Sequence, residues 1–167
     1  MADDRPILIV GGGLGGLAAA LALGRYGYSV RVLEEAPQFG VIGYGIQLGP
    51  NVLPMFARLG IADAVLQLSS VPPALVMLDA LDGTEVARIP TGDTFLRRFH
   101  HPYIIIHRID LHEVLLDACR ALPNVALEPS SGVVGFEDEG ARVRVHTKDG
   151  HSHAGAALIG TMVRCAT

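Results

Sequence analysis

The chain has little of several features that mark particular classes of protein. Its 167 residues include only two cysteines, Cys119 and Cys165, which are too few for a framework of disulfides and fit a reducing compartment. Basic residues are not in excess, because the formal net charge is −4, so nothing electrostatic favours a nucleic-acid partner. The most apolar run, residues 17–23, has about a third of the length that a membrane span needs.

What the chain does have is apolar content. Half of its residues are hydrophobic and 18% are charged, a composition that excludes disorder and provides for one domain with a real core. The N-terminus, Met1-Ala2-Asp3-Asp4, is acidic where an export signal needs positive charge. We therefore expect a cytoplasmic protein that does not enter the membrane.

The first thirty-odd residues predict a strand, a helix and a second strand. Residues 7–10 are a continuous apolar run typical of a strand buried on both faces. Residues 17–26 are rich in Ala and Leu and favour a helix, which Gly27 ends. Residues 29–34 form a second strand with β-branched side chains. Such a βαβ unit is parallel and right-handed, so the fold class is α/β and Rossmann-like.

Between the first strand and the helix lies the pattern Gly11-x-Gly13-x-x-Gly16. In this context the first glycine permits a sharp turn, the second lets a diphosphate approach the backbone, and the third lets helix and strand pack closely. Glu34 ends the second strand 18 residues after Gly16, where an acid binds ribose hydroxyls. The alternative is that Glu34 merely caps a strand end. The full order predicts a cofactor that contains ADP, and it does not separate NAD from FAD.

The rest of the chain predicts further elements. The glycine-rich residues 36–50 are expected to form a long functional loop. Asp82-Gly83 predicts a hairpin turn. A helix is expected over residues 110–121, with Asp110 as its N-cap. Short helices are expected over 51–59 and 61–68, and strands over 75–78, 85–89, 103–106, 125–127, 133–137, 142–147, 151–154 and 156–160.

Four separated stretches resemble the class A flavoprotein monooxygenases that hydroxylate aromatic acids, in the salicylate hydroxylase and 3-hydroxybenzoate 6-hydroxylase branch. They are ILIVGGGLGGLAAALAL, FGVIGYGIQLGPN, PYIIIHRIDLHEVL and AALIG. The resemblance implies FAD as cofactor and NAD(P)H as co-substrate that reduces it, with O2 supplying a hydroxyl group to a small phenolic aromatic acid. The chemistry belongs to the cofactor, while the protein orients the substrate and excludes water.

The resemblance also implies roles for individual residues. The diphosphate would lie on the glycine turn, and Glu34 with Glu35 would hold the adenosine ribose. Val133 would meet the adenine through its backbone. Arg108 would reach FAD, its alternative being a surface salt bridge with Asp110. The turn residues are Gly11, Gly13, Leu14, Gly15 and Gly16; Gly45, Ile46 and Gln47 would lie along the flavin, unless their loop is an ordinary connector. No catalytic residue is assigned.

The same resemblance implies a division of the chain. Residues 1–70 would open the FAD-binding domain, 71–106 would be an incomplete β segment of the substrate domain, 107–160 would return to the FAD-binding domain with an added β-meander, and 161–167 would be an aberrant tail. After Gly160 the family continues with Ala-Asp-Gly, whereas this chain reads Thr161-Met162-Val163. A displaced reading frame would explain that tail. We therefore expect an N-terminal fragment that is inactive alone, with an exposed apolar face and poor solubility.

The remaining polar residues predict no metal site. Histidines at 100, 101, 151 and 153 follow turns without a cluster of cysteines or carboxylates at zinc-like spacing, so we expect them in solvent. Cys119 is interpreted as a small core residue, and Arg97-Arg98 as a solvated pair. The alternative functions are an NAD-dependent oxidoreductase and a dinucleotide-binding module without catalysis. A homo-oligomer is left open.

Overall fold

A computed structural model describes residues 5–40 and 43–161. The chain divides into two compact units, unit 1 with residues 1–42 and 111–167, and unit 2 with residues 43–110. The strands are β1 Ile7–Val10, β2 Val30–Leu33, β3 Gly45–Leu48, β4 Ala74–Leu78, β5 Glu85–Pro90, β6 Ile104–His107, β7 Val125–Glu128, β8 Val133–Asp138, β9 Val143–Thr147, β10 Ser152–Gly155 and β11 Ala157–Gly160. The helices are α1 Leu14–Arg25, α2 Leu53–Arg58, α3 Ala62–Gln67, α4 Asp93–Phe99 and α5 Arg108–Arg120.

Unit 1 is built on a parallel sheet with the strand order β11-β1-β2-β7. Ile7 pairs with Val30 of β2 on one side and with Ala157 of β11 on the other, in parallel register. Leu8, Ile9 and Val32 are completely buried, as expected for strands covered on both faces. The predicted Rossmann-like α/β fold and its parallel βαβ unit are confirmed.

Helix α1 follows β1 and packs on the sheet through one apolar stripe. Its buried residues are Gly16, Leu17, Ala20, Leu21 and Gly24, which recur at helical spacing. The helix ends at Arg25, and Gly27 shortly after it has a φ of +87°, which suits glycine and few other residues. The helix begins three residues earlier than predicted, so Gly13 is its N-cap and Gly16 lies inside its first turn.

The second part of unit 1 contains the predicted β-meander. Strands β8, β9 and β10 form an antiparallel sheet in the order β10-β9-β8. The turns fall where the sequence places Gly140 and Gly150, both with positive φ. Val145 of β9 is completely buried against Leu8 and Leu33 of the parallel sheet, so the meander shares the core of unit 1.

Unit 2 has less internal burial. Strand β3 pairs with β6 in antiparallel register, and β4 pairs with β5 around the predicted Asp82-Gly83 turn. All six residues of β5 are exposed. The short helices α2 and α3 contribute Leu53, Phe56 and Val65 to a small core.

Two local predictions were wrong, and one helix was missed. The loop expected over residues 36–50 contains strand β3, because Gly45–Leu48 finds a partner in β6, far along the chain. Helix α4 was missed, since it is only seven residues long, too short for a helical period to be recognised, and none of its residues is buried. Asp110 is not an N-cap, because α5 begins at Arg108 and Asp110 lies in its first turn. Within the described residues, no helix is both long and apolar enough to cross a bilayer.

Candidate functional site: the turn between β1 and α1

The turn after β1 needs glycine for two different physical reasons. Gly11 has a φ of +103°, a backbone conformation that side chains with a Cβ rarely adopt. Its N–H donates to the Leu33 carbonyl oxygen at 2.9 Å, which ties the turn to β2. A Cβ on Gly16 would lie 1.9 Å from the Gly11 carbonyl oxygen. The close approach of α1 to β1 therefore excludes any side chain at residue 16.

Two further glycines, Gly13 and Gly15, face open space. A Cβ on Gly13 or Gly15 would meet nothing within 4 Å. Gly13 is the N-cap of α1, and no side chain caps the helix there. The first-turn amides of α1, with the positive end of the helix dipole, are thus available to an anion at an uncovered surface.

Glu34 turns its carboxylate toward this turn. Its Oε2 accepts a hydrogen bond from the Gly12 N–H at 2.6 Å, and its Oε1 accepts one from the Ala36 N–H at 2.8 Å. Glu34 therefore does more than cap a strand end, because it holds the glycine turn from the side of β2. A carboxylate has about four lone-pair directions, so these two bonds leave acceptor capacity for sugar hydroxyls.

Glu35 and Val133 lie beside Glu34. The Glu35 carboxylate forms an ion pair with Lys148. The segment before β8 is tied to the same edge, since the Ser131 N–H donates to the Glu34 carbonyl oxygen at 2.7 Å. Val133 begins β8 immediately after that segment. The structure thus brings together the turn, Glu34, Glu35 and the start of β8; the roles expected of Glu35 and Val133 stay predictions.

The remaining predicted residues belong to unit 2. Gly45, Ile46 and Gln47 form β3, and the Gln47 side chain accepts a hydrogen bond from the Tyr103 hydroxyl at 2.6 Å. Arg108 is exposed, and its aliphatic stem contacts Gly43, where an added Cβ would lie 2.8 Å from Cδ. Among the described residues no ion pair joins Arg108 to Asp110. These four residues keep their expected roles as predictions.

Two residues at the turn were missed in the sequence. His112 of α5 is buried, and its Nε2 lies 2.8 Å from the Gly12 carbonyl oxygen. Thr161 donates from its hydroxyl to the Val10 carbonyl oxygen at 2.8 Å. No local pattern connects either residue to the turn, because each lies at least 100 residues away from its partner along the chain. A polar residue on the otherwise apolar face of α5 was the one available signal for His112.

The other polar residues divide between surface and core. His151 is exposed beside Asp149, which raises the pKa of the imidazole; the Thr147 hydroxyl, then His151, hold the pKa of Asp149 well below its usual range. His153 is not in solvent as predicted, since its side chain is 16% exposed beside Arg31 and Glu128. Cys119 is completely buried, as predicted. Among the described residues, no group of three or more His, Cys, Asp or Glu could hold a metal ion.

These observations test whether the residues present fit a dinucleotide. A turn without side chains, an uncapped helix N-terminus and an adjacent carboxylate match a diphosphate linked to a ribose. Gly13 and Gly15 have no side chains to fill the space in front of the turn. The donors there are backbone amides, which suit phosphate oxygens. The fold and this site define a dinucleotide-binding domain.

Comparisons with known proteins narrow the class. The FAD binding domain family matches residues 4–159. The 3-hydroxybenzoate 6-hydroxylase of Polaromonas naphthalenivorans (strain CJ2) is 47% identical over 157 residues, which are 94% of this chain and 39% of that protein. Among solved structures, the tetrameric form of 2-methyl-3-hydroxypyridine-5-carboxylic acid oxygenase has a TM-score of 0.79 at 29% identity, covering 92% of this chain and 38% of the other.

A further solved structure, the flavin-dependent monooxygenase PieE in complex with FAD and substrate, has a TM-score of 0.79 at 26% identity, over 94% of this chain and 30% of the other. The chain belongs to the FAD-binding domain family, which confirms the predicted resemblance to flavin-dependent aromatic hydroxylases. It spans about 40% of the length of the curated relatives it matches.

Proposed function

We propose that this chain binds FAD on the turn between β1 and α1, as the FAD-binding part of an NAD(P)H- and O2-dependent monooxygenase. The observation that carries the proposal is the open turn beside Glu34: the space at Gly13 and Gly15, with a carboxylate joined to the Gly12 amide at 2.6 Å. Membership of the FAD-binding domain family favours FAD over NAD as the dinucleotide.

The predicted residues would hold different parts of the cofactor. The first-turn amides of α1 would bind the diphosphate, and Glu34 with Glu35 the adenosine ribose. Val133 would contact the adenine through its backbone. Arg108 would contribute a fixed positive charge to cofactor oxygens. Backbone groups of Gly45, Ile46 and Gln47 in β3 would lie along the flavin, as the family resemblance implies. When bound, FAD supplies the redox chemistry that joins NAD(P)H oxidation to the use of O2.

The substrate class that we propose is a small phenolic aromatic acid of the 3-hydroxybenzoate or salicylate type. Two proteins similar to this chain are named for hydroxylated aromatic carboxylic acids, one a benzoate and one a pyridine. We assign no catalytic residue, because the groups that face the substrate in this family come mainly from regions of the longer relatives to which this chain does not align. Hydroxylation would therefore not occur with these 167 residues alone. A cytoplasmic location is part of the same proposal.

The proposal is tested by titrating the purified 167-residue chain with FAD and following flavin fluorescence, with NAD as competitor. We expect saturable FAD binding that NAD does not displace. Tight NAD binding without FAD binding would favour the NAD-dependent oxidoreductase, and binding of neither would defeat both. NADH oxidation with 3-hydroxybenzoate or salicylate should be absent. Turnover would contradict the proposal that these 167 residues alone do not hydroxylate a substrate.

Gly13→Ala provides a matched control for that titration. The added methyl group meets no protein atom within 4 Å, and the φ of −75° suits alanine, so the fold should be unchanged. The methyl group would stand in the space assigned to the diphosphate. We expect the Kd for FAD to rise about tenfold or more, which corresponds to at least about 1.4 kcal/mol. Unchanged affinity would place the diphosphate elsewhere.

A further inference from the structure

Residue 12 is held from two opposite sides by side chains distant in sequence. Its N–H donates to Glu34 Oε2 at 2.6 Å, and its carbonyl oxygen lies 2.8 Å from His112 Nε2. A carbonyl oxygen can only accept a hydrogen bond, so Nε2 of His112 carries a proton and donates. The imidazole is 1% exposed, and this bond is therefore shielded from competing water.

The contact with His112 fixes the direction of a neighbouring amide. In a trans peptide the carbonyl and the N–H of the next residue point in opposite directions, and the described residues contain no cis peptide. Because the Gly12 carbonyl points into the core at His112, the Gly13 N–H points away from it. Gly13 is the N-cap of α1 and faces open space.

Without such an anchor this peptide would be free to turn. It joins two glycines, which adopt positive and negative φ almost equally well. A rotated peptide would present the Gly12 carbonyl oxygen, a negative partial charge, to the surface where a phosphate binds. The side chain at residue 112 therefore decides which end of one dipole faces the ligand.

We propose that His112 is a positioning residue for cofactor binding, which holds the Gly12–Gly13 peptide so that its N–H faces the diphosphate. This proposal rests on the FAD binding proposed above and adds a residue outside the glycine pattern. His112 touches no part of the cofactor in this role. It acts by organising the turn before the cofactor arrives, which lowers the cost of binding.

The test compares three variants of the 167-residue chain by FAD titration at a temperature where each is folded. His112→Leu removes the donor and keeps an apolar side chain, and we expect the Kd for FAD to rise about tenfold. His112→Gln restores an N–H donor at a similar reach, and its Kd should return to within about threefold of the original. This rescue would not follow if His112 only filled space.

Cys119→Ala supplies the control on the same helix. Cys119 is completely buried on α5, and its Sγ lies 3.3 Å from the Leu17 carbonyl oxygen. This variant should lower the melting temperature and leave the Kd for FAD unchanged. A rise in Kd equal to that of His112→Leu would mean that general destabilisation explains both, and would overturn the proposal.

A second readout needs no cofactor. Nitrogen-15 spectra of the unligated chain report which imidazole nitrogen of His112 is protonated, and we expect a proton on Nε2. An imidazole protonated on Nδ1 alone would overturn the proposal, even if His112→Leu fails to fold. FAD binding by the original chain with equal affinity in His112→Leu would remove the role of His112 and leave the proposed function standing. No FAD binding by the original chain would defeat both.

Discussion

The parallel sheet of unit 1 and the β4–β5 hairpin of unit 2 use their apolar residues in opposite ways. Leu8 and Val32 of the parallel sheet are completely buried, whereas Met77 and Val86 of the hairpin are 63% and 62% exposed. The predicted exposed apolar face is thus present on the hairpin. What forms the hairpin is local chemistry at its turn, where the Asp82 carboxylate accepts from the Thr84 N–H at 2.9 Å.

This difference explains why the candidate site is rigid. The glycine turn directly follows β1, in a sheet whose strands are fixed by buried packing and by long-range hydrogen bonds. A site of this kind is organised before a ligand binds. Substitutions in the sheet and its turn should therefore have large effects on folding and binding, and equivalent substitutions in the hairpin should have small ones.

The largest expected effect is that of Gly16→Ala. The new Cβ would lie 1.9 Å from the backbone oxygen of Gly11, so α1 must move away from β1. We expect a loss of about 3–5 kcal/mol in the free energy of unfolding, or failure to fold. Gly15→Ala, one residue away in the same helical turn, meets nothing within 4 Å and should leave stability nearly unchanged. Thermal unfolding followed by circular dichroism compares them; equal stability of the two variants would contradict the packing described.

A pair of leucine truncations compares the two regions directly. Leu8→Ala leaves a cavity in the core of unit 1 and should cost about 2–5 kcal/mol. Leu81 is 97% exposed in the hairpin turn, and Leu81→Ala should change the free energy of unfolding by less than about 0.5 kcal/mol. Denaturant titrations measure both. A large cost at Leu81 would mean that the hairpin has packing partners that its exposure does not show.

Substitutions of the two adjacent acids after β2, Glu34 and Glu35, should differ in their effect on FAD affinity. Glu34→Gln removes the charge from hydrogen bonds to the ribose, and we expect FAD affinity to fall about tenfold, since such bonds contribute about 1.5 kcal/mol or more. Glu35→Gln breaks the ion pair with Lys148 and removes the charge of the second acid proposed to hold the ribose, so we expect a smaller loss of affinity, about threefold. Isothermal titration of both variants decides. A larger loss of affinity in Glu35→Gln would mean that Glu35 is the main ligand of the ribose.

The smallest effect expected near neutral pH is the dependence of folding stability on the ionisation of the Cys119 thiol. Burial raises the pKa of its thiol to about 11. A raised pKa in the folded state means that stability is constant below the ordinary pKa near 9 and falls as the pH rises from there toward 11. With Cys165 replaced by serine, iodoacetamide should label the folded chain very slowly at pH 8 and the unfolded chain readily. Fast labelling of the folded chain would contradict the burial.

The parts of the fold that follow from local chemistry were predictable. The turn from Gly11 to Gly16 and the acid at Glu34 depend on nearby residues in one βαβ unit, so their spacing is visible in the sequence. The contact of His112 was not predictable, because its hydrogen-bond partner Gly12 lies 100 positions away and the two meet only in the folded chain. The prediction of a loop at β3 failed for a similar reason, because this glycine-rich segment becomes a strand only by pairing with β6.

Helix α4 shows a different limit. It has only seven residues, fewer than the window of about 11–18 residues over which an apolar helical period is recognised. Weaker signals were present, namely Asp93 in the first turn and the pair Arg97-Arg98 in the last, which complement the helix dipole. The pair was interpreted as solvated, and its place at a helix end was missed.

The most direct test of the account is amide hydrogen exchange of the 167-residue chain with and without FAD. We expect FAD to slow exchange at residues 13–16, at the start of α1, and to leave exchange in the β4–β5 hairpin unchanged. FAD binding that leaves the exchange of residues 13–16 unaltered would contradict the claim that these amides receive the diphosphate.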